Sequence, residues 1–194
     1  MPLLPAKVLE RKLKWSDFVK TEMEPPTPGV PQISALTVSF YGYAAMNVNP
    51  VKNSSPTIYK ATTPTVTVTF DKTSWVASYV LDDWSQQKQD DLLAHEQTHF
   101  MITACTGRDF LAELDAIAAK TFSSAGDGVA EITAVIAKYE RAKTQAIQDK
   151  YDADTKSSPT ANAAIQGKWN TAVEDARANK KELRATLKTA TLIP

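Results

Sequence analysis

Leu92 to Phe100, LLAHEQTHF, constrains this chain more than any other stretch, because it holds both histidines of the 194 residues and sets them four apart around a glutamate. On an α-helix, residues four apart stand one above the other on the same face. A helix here therefore offers the imidazoles of His95 and His99 to a single ion while Glu96 points beside it. That is the H-E-x-x-H arrangement of zinc peptidases. In such a site the histidines hold Zn2+, and the glutamate acts as general base, taking a proton from a metal-activated water that attacks a peptide carbonyl. The plainer alternative is a structural helix whose two histidines lie on the surface or satisfy each other.

Charge and composition narrow the field of partners. Lys plus Arg and Asp plus Glu number 22 each, so no global field draws the chain to nucleic acid or to an anionic membrane. Peptide or protein is the expected substrate. No stretch approaches the length of a membrane span. Cys105 is the only cysteine, which excludes an internal disulfide and suits a small buried thiol. The beginning, MPLLPAKVLERKLKW, is broken by two prolines and then by charge, so it does not read as a signal peptide. No pattern in the chain speaks for a particular oligomeric state.

The expected fold class is α+β in one domain of residues 1–194: a small, mostly antiparallel sheet packed on the metal helix, followed by long antiparallel helices. Residues 1–32 read as an arm, anchored by Leu13, Trp15 and Phe18 and ending in the proline-rich connector Glu24 to Gln32. Residues 33–84 form the β-rich part. TVTVTF, Thr65 to Phe70, alternates threonine with apolar residues and predicts a strand with one buried face in a sheet of three or four strands. Trp75, Tyr79 and Trp84 are expected core aromatics. Residues 85–194 form the helical part, which carries the metal site. Apolar spacing predicts a motif helix to about Phe122, bent at Gly107, then a turn at Ser123 to Gly128. A second helix should run to the break at Ser158-Pro159, and a third from about Thr160 to Leu187.

A zinc hydrolase normally takes three protein ligands and leaves one position open. If the first two long helices form an antiparallel hairpin with its tip near residue 125, the level of the histidines falls near residue 153. That level is YDADT, Tyr151 to Thr155. Counting the apolar stripe onward from Ile147 and Tyr151 places Asp154 nearer the inward face than Asp152, so Asp154 is the expected third ligand. Tyr151 has the chemistry to steady an oxyanion as a catalytic residue, and an ordinary core tyrosine is an equal alternative. Glu113, in Glu113-Leu-Asp-Ala116, looks like the E-x-x-A pattern that supplies a third ligand in one large class of these peptidases. It lies about 21 Å along the same predicted helix and ranks behind Asp154, with Asp115 lower still.

Across most of its length the chain resembles a bacterial family of zinc-dependent proteases catalogued as a domain of unknown function, family 922. The resemblance is carried by KLKWSDF, the threonine-rich strands, the tryptophan of Thr73-Ser74-Trp75, LLAHEQTHF, YDADT, and the pair Gln166 and Trp169. It implies the same fold, a zinc site on the motif helix with YDADT close by, and a secreted or periplasmic protein if a leader has been removed. The family's later motif looks like Y-D-x-x-T-x-H, whereas this chain has Ser157 at the histidine position. That departure supports a second expectation: a catalytically inactive, peptidase-like binding or scaffold protein.

Overall fold

The computed structural model describes residues 4–25, 33–155 and 162–194. The expected connector falls partly, and Ser157 wholly, outside the described residues. The architecture is α+β, with small sheets of few strands on one side and long helices on the other.

Its axis is α3, Gln86–Ala118, 33 residues long and so about 50 Å from end to end. Residues 100–107 are all buried, which means that the middle of α3 is surrounded on every side. Ser85 stands at its N-cap position, following the short helix α2, Ser78–Asp83. The arm contributes α1, Pro5–Val8, and β1, Val19–Thr21. Leu13 and Phe18 are buried against the core, Phe18 meeting Phe70 edge-on at 5.2 Å.

The β-rich part divides into three small sheets where one was expected. β7, Trp75–Ala77, lies between β1, parallel to it, and β2, Ala35–Leu36, antiparallel to it. β3, Ser39–Tyr43, pairs antiparallel with β6, Val66–Phe70. β4, Val48–Pro50, pairs with β5, Tyr59–Ala61. The alternation of β6 is the one read from TVTVTF: Val66, Val68 and Phe70 are buried toward α3, and the threonines between them face outward.

α3 is continuous through Gly107. A Cβ at Gly107 would lie 2.8 Å from Val68 Cγ2 and 3.4 Å from Tyr41 Cβ, so the glycine allows the β3–β6 pair to rest directly on the helix.

The later helices are shorter than their periodicity suggests. α4, Ala125–Lys138, and α5, Arg141–Thr155, replace one continuous helix. The break falls at Tyr139, whose carbonyl accepts a hydrogen bond from the Tyr41 hydroxyl at 2.5 Å and whose own hydroxyl donates to Glu113 at 2.7 Å. α6, Ala163–Ala178, and α7, Leu183–Thr189, likewise replace one helix. Here Asp109 Oδ2 accepts the backbone N–H of Leu183 at 2.7 Å, capping α7 from the side of α3. Arg108 holds the carbonyls of Ala176 and Lys181. Despite the extra break, α5 returns antiparallel beside the N-terminal half of α3.

Gly107→Ala would gain about 1 kcal/mol of helix propensity. It would also push a methyl into a stiff valine, an overpacking cost of about 1–3 kcal/mol. Net destabilisation of up to about 2 kcal/mol is expected, read as a lower urea midpoint at unchanged slope.

Candidate metal centre

His95 and His99 lie on the face of α3 that α5 covers, and α5 brings Asp152 to them. The Nε2 atoms of His95 and His99 are 3.2 Å apart, and Asp152 Oδ1 is 3.3 Å from the first and 2.9 Å from the second. His95 is 2% exposed, while the Asp152 side chain keeps 41% of its surface.

Two glutamines decide which way the imidazoles face. Gln148 Nε2 donates to the carbonyl of His99 at 3.0 Å and to Thr103 Oγ1 at 3.1 Å, which turns its Oε1 to His99 Nδ1 at 2.6 Å. A carbonyl oxygen there requires Nδ1 to carry the proton. Gln166 does the same for His95: its Nε2 meets the Tyr151 hydroxyl and Asn170 Oδ1, and its Oε1 accepts from His95 Nδ1 at 3.0 Å. Both imidazoles are therefore held as Nδ1–H, with both Nε2 lone pairs aimed at Asp152.

Two lone pairs and a carboxylate oxygen so close together repel unless something positive sits among them. The titration of the cluster has that sign. Burial pushes the Asp152 carboxyl up, but hydrogen bonds and charge from His95 and His99 outweigh it and hold the group well below the usual carboxylate range. Burial pushes His99 down, yet the bond to Asp152 and the charges of Glu96 and Asp152 outweigh it and leave its pKa raised. A metal ion answers the same demand. His95, His99 and Asp152 could hold one. Tetrahedral bonds of about 2.0–2.1 Å give ligand-to-ligand edges of about 3.3 Å, which the triangle of 2.9, 3.2 and 3.3 Å nearly matches. Glutamine amides behind the histidines are the outer support that such ligands usually have.

Glu96, 3% exposed, borders the same space, and its Oε2 is buried without a hydrogen-bond partner among the described residues. A buried carboxylate oxygen left unpaired is costly and calls for a partner that arrives with a ligand or water.

The other expected residues fall elsewhere. Asp154 is turned from the histidines: it accepts from the Trp169 indole N–H at 3.0 Å and pairs with Lys150, so Asp152 stands where Asp154 was expected. Tyr151 is fully buried behind the site, stacked on His95 at 4.7 Å, with its hydroxyl engaged by Gln166 and its pKa raised by burial. From there it cannot reach an oxyanion in the cleft. Glu113 binds Lys138 and Tyr139 near the far end of α3. Gln148 escaped the sequence reading altogether. Its signal was position, one turn before Asp152 on the same helix face.

The triangle opens into a cleft of about 240 Å³, floored by α3 and walled by α5 and by the extended chain from Ile33 to Tyr41. Ser34, Val38 and Ala44 turn their backbone groups to the strands behind, Ala77 N–H reaching Ser34, Asp71 N–H reaching Val38, and Ala44 N–H reaching Thr65. By alternation, the backbone N–H and C=O groups of Thr37, Ser39 and Tyr41 face the other way. Among the described residues β3 has β6 as its only strand partner, so this second edge is open.

No helix among the described residues is long and apolar enough to cross a membrane. No family model, curated protein or solved structure matches the chain.

Asp152→Ala should abolish stoichiometric binding of a divalent ion, whereas Asp154→Ala should leave it in place. Gln148→Ala should retain the ligands but weaken affinity about 10- to 100-fold, as outer-sphere removals commonly do. Titration calorimetry with zinc and cobalt reads all three.

Proposed function

We propose that this chain is a zinc-dependent peptidase, with His95, His99 and Asp152 as metal ligands and Glu96 as general base. The observation that carries the proposal is the placement of the unpartnered Glu96 Oε2 beside three convergent ligand atoms in one cleft. Zinc, when bound, would supply Lewis-acid charge that polarises a peptide carbonyl and makes a water acidic enough to lose a proton near neutral pH. Glu96 Oε2 takes that proton as the water attacks, then returns it to the departing amine. Gln148 and Gln166 keep both imidazoles from turning during these steps.

A peptide fits the cleft better than a compact small molecule. The open edge of Thr37, Ser39 and Tyr41 offers main-chain hydrogen bonds to an extended chain, the usual way for a strand edge to take up a peptide. Leu36 and Phe40, 40% and 37% exposed, stand on the rim and offer apolar surface to alternate side chains of such a peptide. The resemblance to the zinc-dependent protease family through LLAHEQTHF and YDADT supports the same reading. The contrary reading, an inactive scaffold, draws on Ser157 as a lost ligand. Asp152 weakens that motive, because a carboxylate can complete the zinc set.

Zinc-loaded protein should digest an unfolded protein such as casein, and a chelator should stop it. Glu96→Gln should bind zinc as before and lose about 100-fold or more of the rate. Cleavage at the wild-type rate by that variant would refute the role of Glu96.

A further inference from the structure

The cleft extends well past the three ligand atoms. Along α5 the residues that line it are Arg141, Thr144, Gln145, Gln148 and Asp152, spaced so that they share one helix face. Arg141 therefore stands about 16 Å from Asp152 along the helix axis. The opposite wall keeps pace with it. Thr37 Oγ1 donates to the carbonyl of Glu96 at 3.4 Å, level with the ligands, and Ser39 Oγ meets Thr103 at 2.8 Å. The Tyr41 hydroxyl then reaches Thr144 at 3.1 Å, in the first turn of α5. From Thr37 to Tyr41 an extended chain covers about 13 Å, or four residues.

Among the described residues that line this cleft, Arg141 is the only lysine or arginine. Several cations elsewhere in the helical part are engaged: Arg108 with Asp109, Lys138 with Glu113, Lys150 with Asp154, and Arg177 with Glu174. Arg141 is exposed and, among the described residues, has no hydrogen bond or ion pair of its own. Arg184, whose guanidinium donates to the carbonyl of Lys143 at 3.1 Å, adds positive potential near Tyr41. The nearest acid in sequence is Glu140, exposed at the corner before α5. The acids that line the cleft, Glu96 and Asp152, both lie at its other end.

We propose that Arg141 is a specificity-determining residue that binds an acidic side chain carried by the substrate about four residues on the amino-terminal side of the bond that is cut. The inference rests on the peptidase reading. Direction follows from strand pairing: the wall runs from the ligands at Thr37 toward Arg141 at Tyr41, and a peptide adds to such an edge more favourably antiparallel. Its amino-terminal part then lies beside Arg141 and its scissile bond beside Glu96. Arginine suits this task, since its fork of N–H donors matches a carboxylate in two places.

The test uses the full zinc-loaded chain, wild type and Arg141→Glu, on casein and on two ten-residue peptides that differ only in Glu or Lys at the fourth position before the bond. Mass spectrometry of the wild-type digest should find Asp and Glu enriched at that position, give or take one residue. The ratio of kcat/KM for the Glu peptide over the Lys peptide should be on the order of tenfold and should invert in Arg141→Glu. The same ratio in both proteins would overturn the inference while leaving the peptidase intact. If neither protein cuts anything with zinc in place, the peptidase reading fails. Fluorescence anisotropy of the two labelled peptides on the zinc-loaded proteins then decides the role of Arg141. Tighter binding of the Glu peptide that inverts in Arg141→Glu supports it, and equal binding of both peptides overturns it.

Discussion

The three electron-rich atoms that meet at Asp152 Oδ1 are the constraint to which the rest of the structure answers. Left to themselves, two imidazole lone pairs and a carboxylate would turn apart, since each lone pair loses free energy by facing another. They are kept facing by groups on their far sides. Gln148 needs its amide nitrogen for the His99 carbonyl and so presents its oxygen to the ring, and Gln166 does likewise for His95. The depressed pKa of Asp152 and the raised pKa of His99 describe one demand from its two sides: positive charge belongs among these atoms. Where a proton can meet the demand, a metal ion can meet it with three bonds at once.

Holding that arrangement requires a helix that cannot shift. Tyr151 stacks on His95, and Trp169 packs against Tyr151 at 5.3 Å, so the back of the site is buried while its front is open. Further along α3, Gly107 lets the β3–β6 pair sit against the backbone, and Arg108 with Asp109 clamps the corner between α6 and α7. These contacts are long-range in sequence. They fix the position of α3 relative to the strand wall and to α5, and with it the width of the cleft.

Much of this was legible in the chain, and the misses have physical causes. Four-residue spacing announced the face shared by His95 and His99, and the Thr-Val alternation announced β6. Counting from a hairpin tip placed residue 153 opposite the histidines, and Asp152 lies at that level although the path there includes an additional helix end. The choice of Asp154 over Asp152 came from extending a single apolar stripe. In fact α5 turns two adjacent faces inward: Ile147, Tyr151 and Thr155 enter the core, while Gln148 and Asp152 border the cleft. Asp154 belongs to a third direction, where the Trp169 indole N–H bonds it and Lys150 pairs with its charge. The breaks after α4 and α6 were hidden for another reason. Tyr41 captures the Tyr139 carbonyl and Asp109 captures the Leu183 amide from 98 and 74 residues away, and no local periodicity records such partners.

Exposure across the triangle is graded, and the gradient gives the site its direction. His95 retains 2% of its side-chain surface, His99 12% and Asp152 41%, so an ion or a substrate can approach only from the Asp152 side. The open strand edge borders the same cleft. The same helix face that carries Asp152 continues through Gln148 and Gln145 to the exposed guanidinium of Arg141. One stripe of α5 thus joins the position where chemistry could occur to the position where a charged partner could be chosen, with the open edge of the strand wall running the length between them.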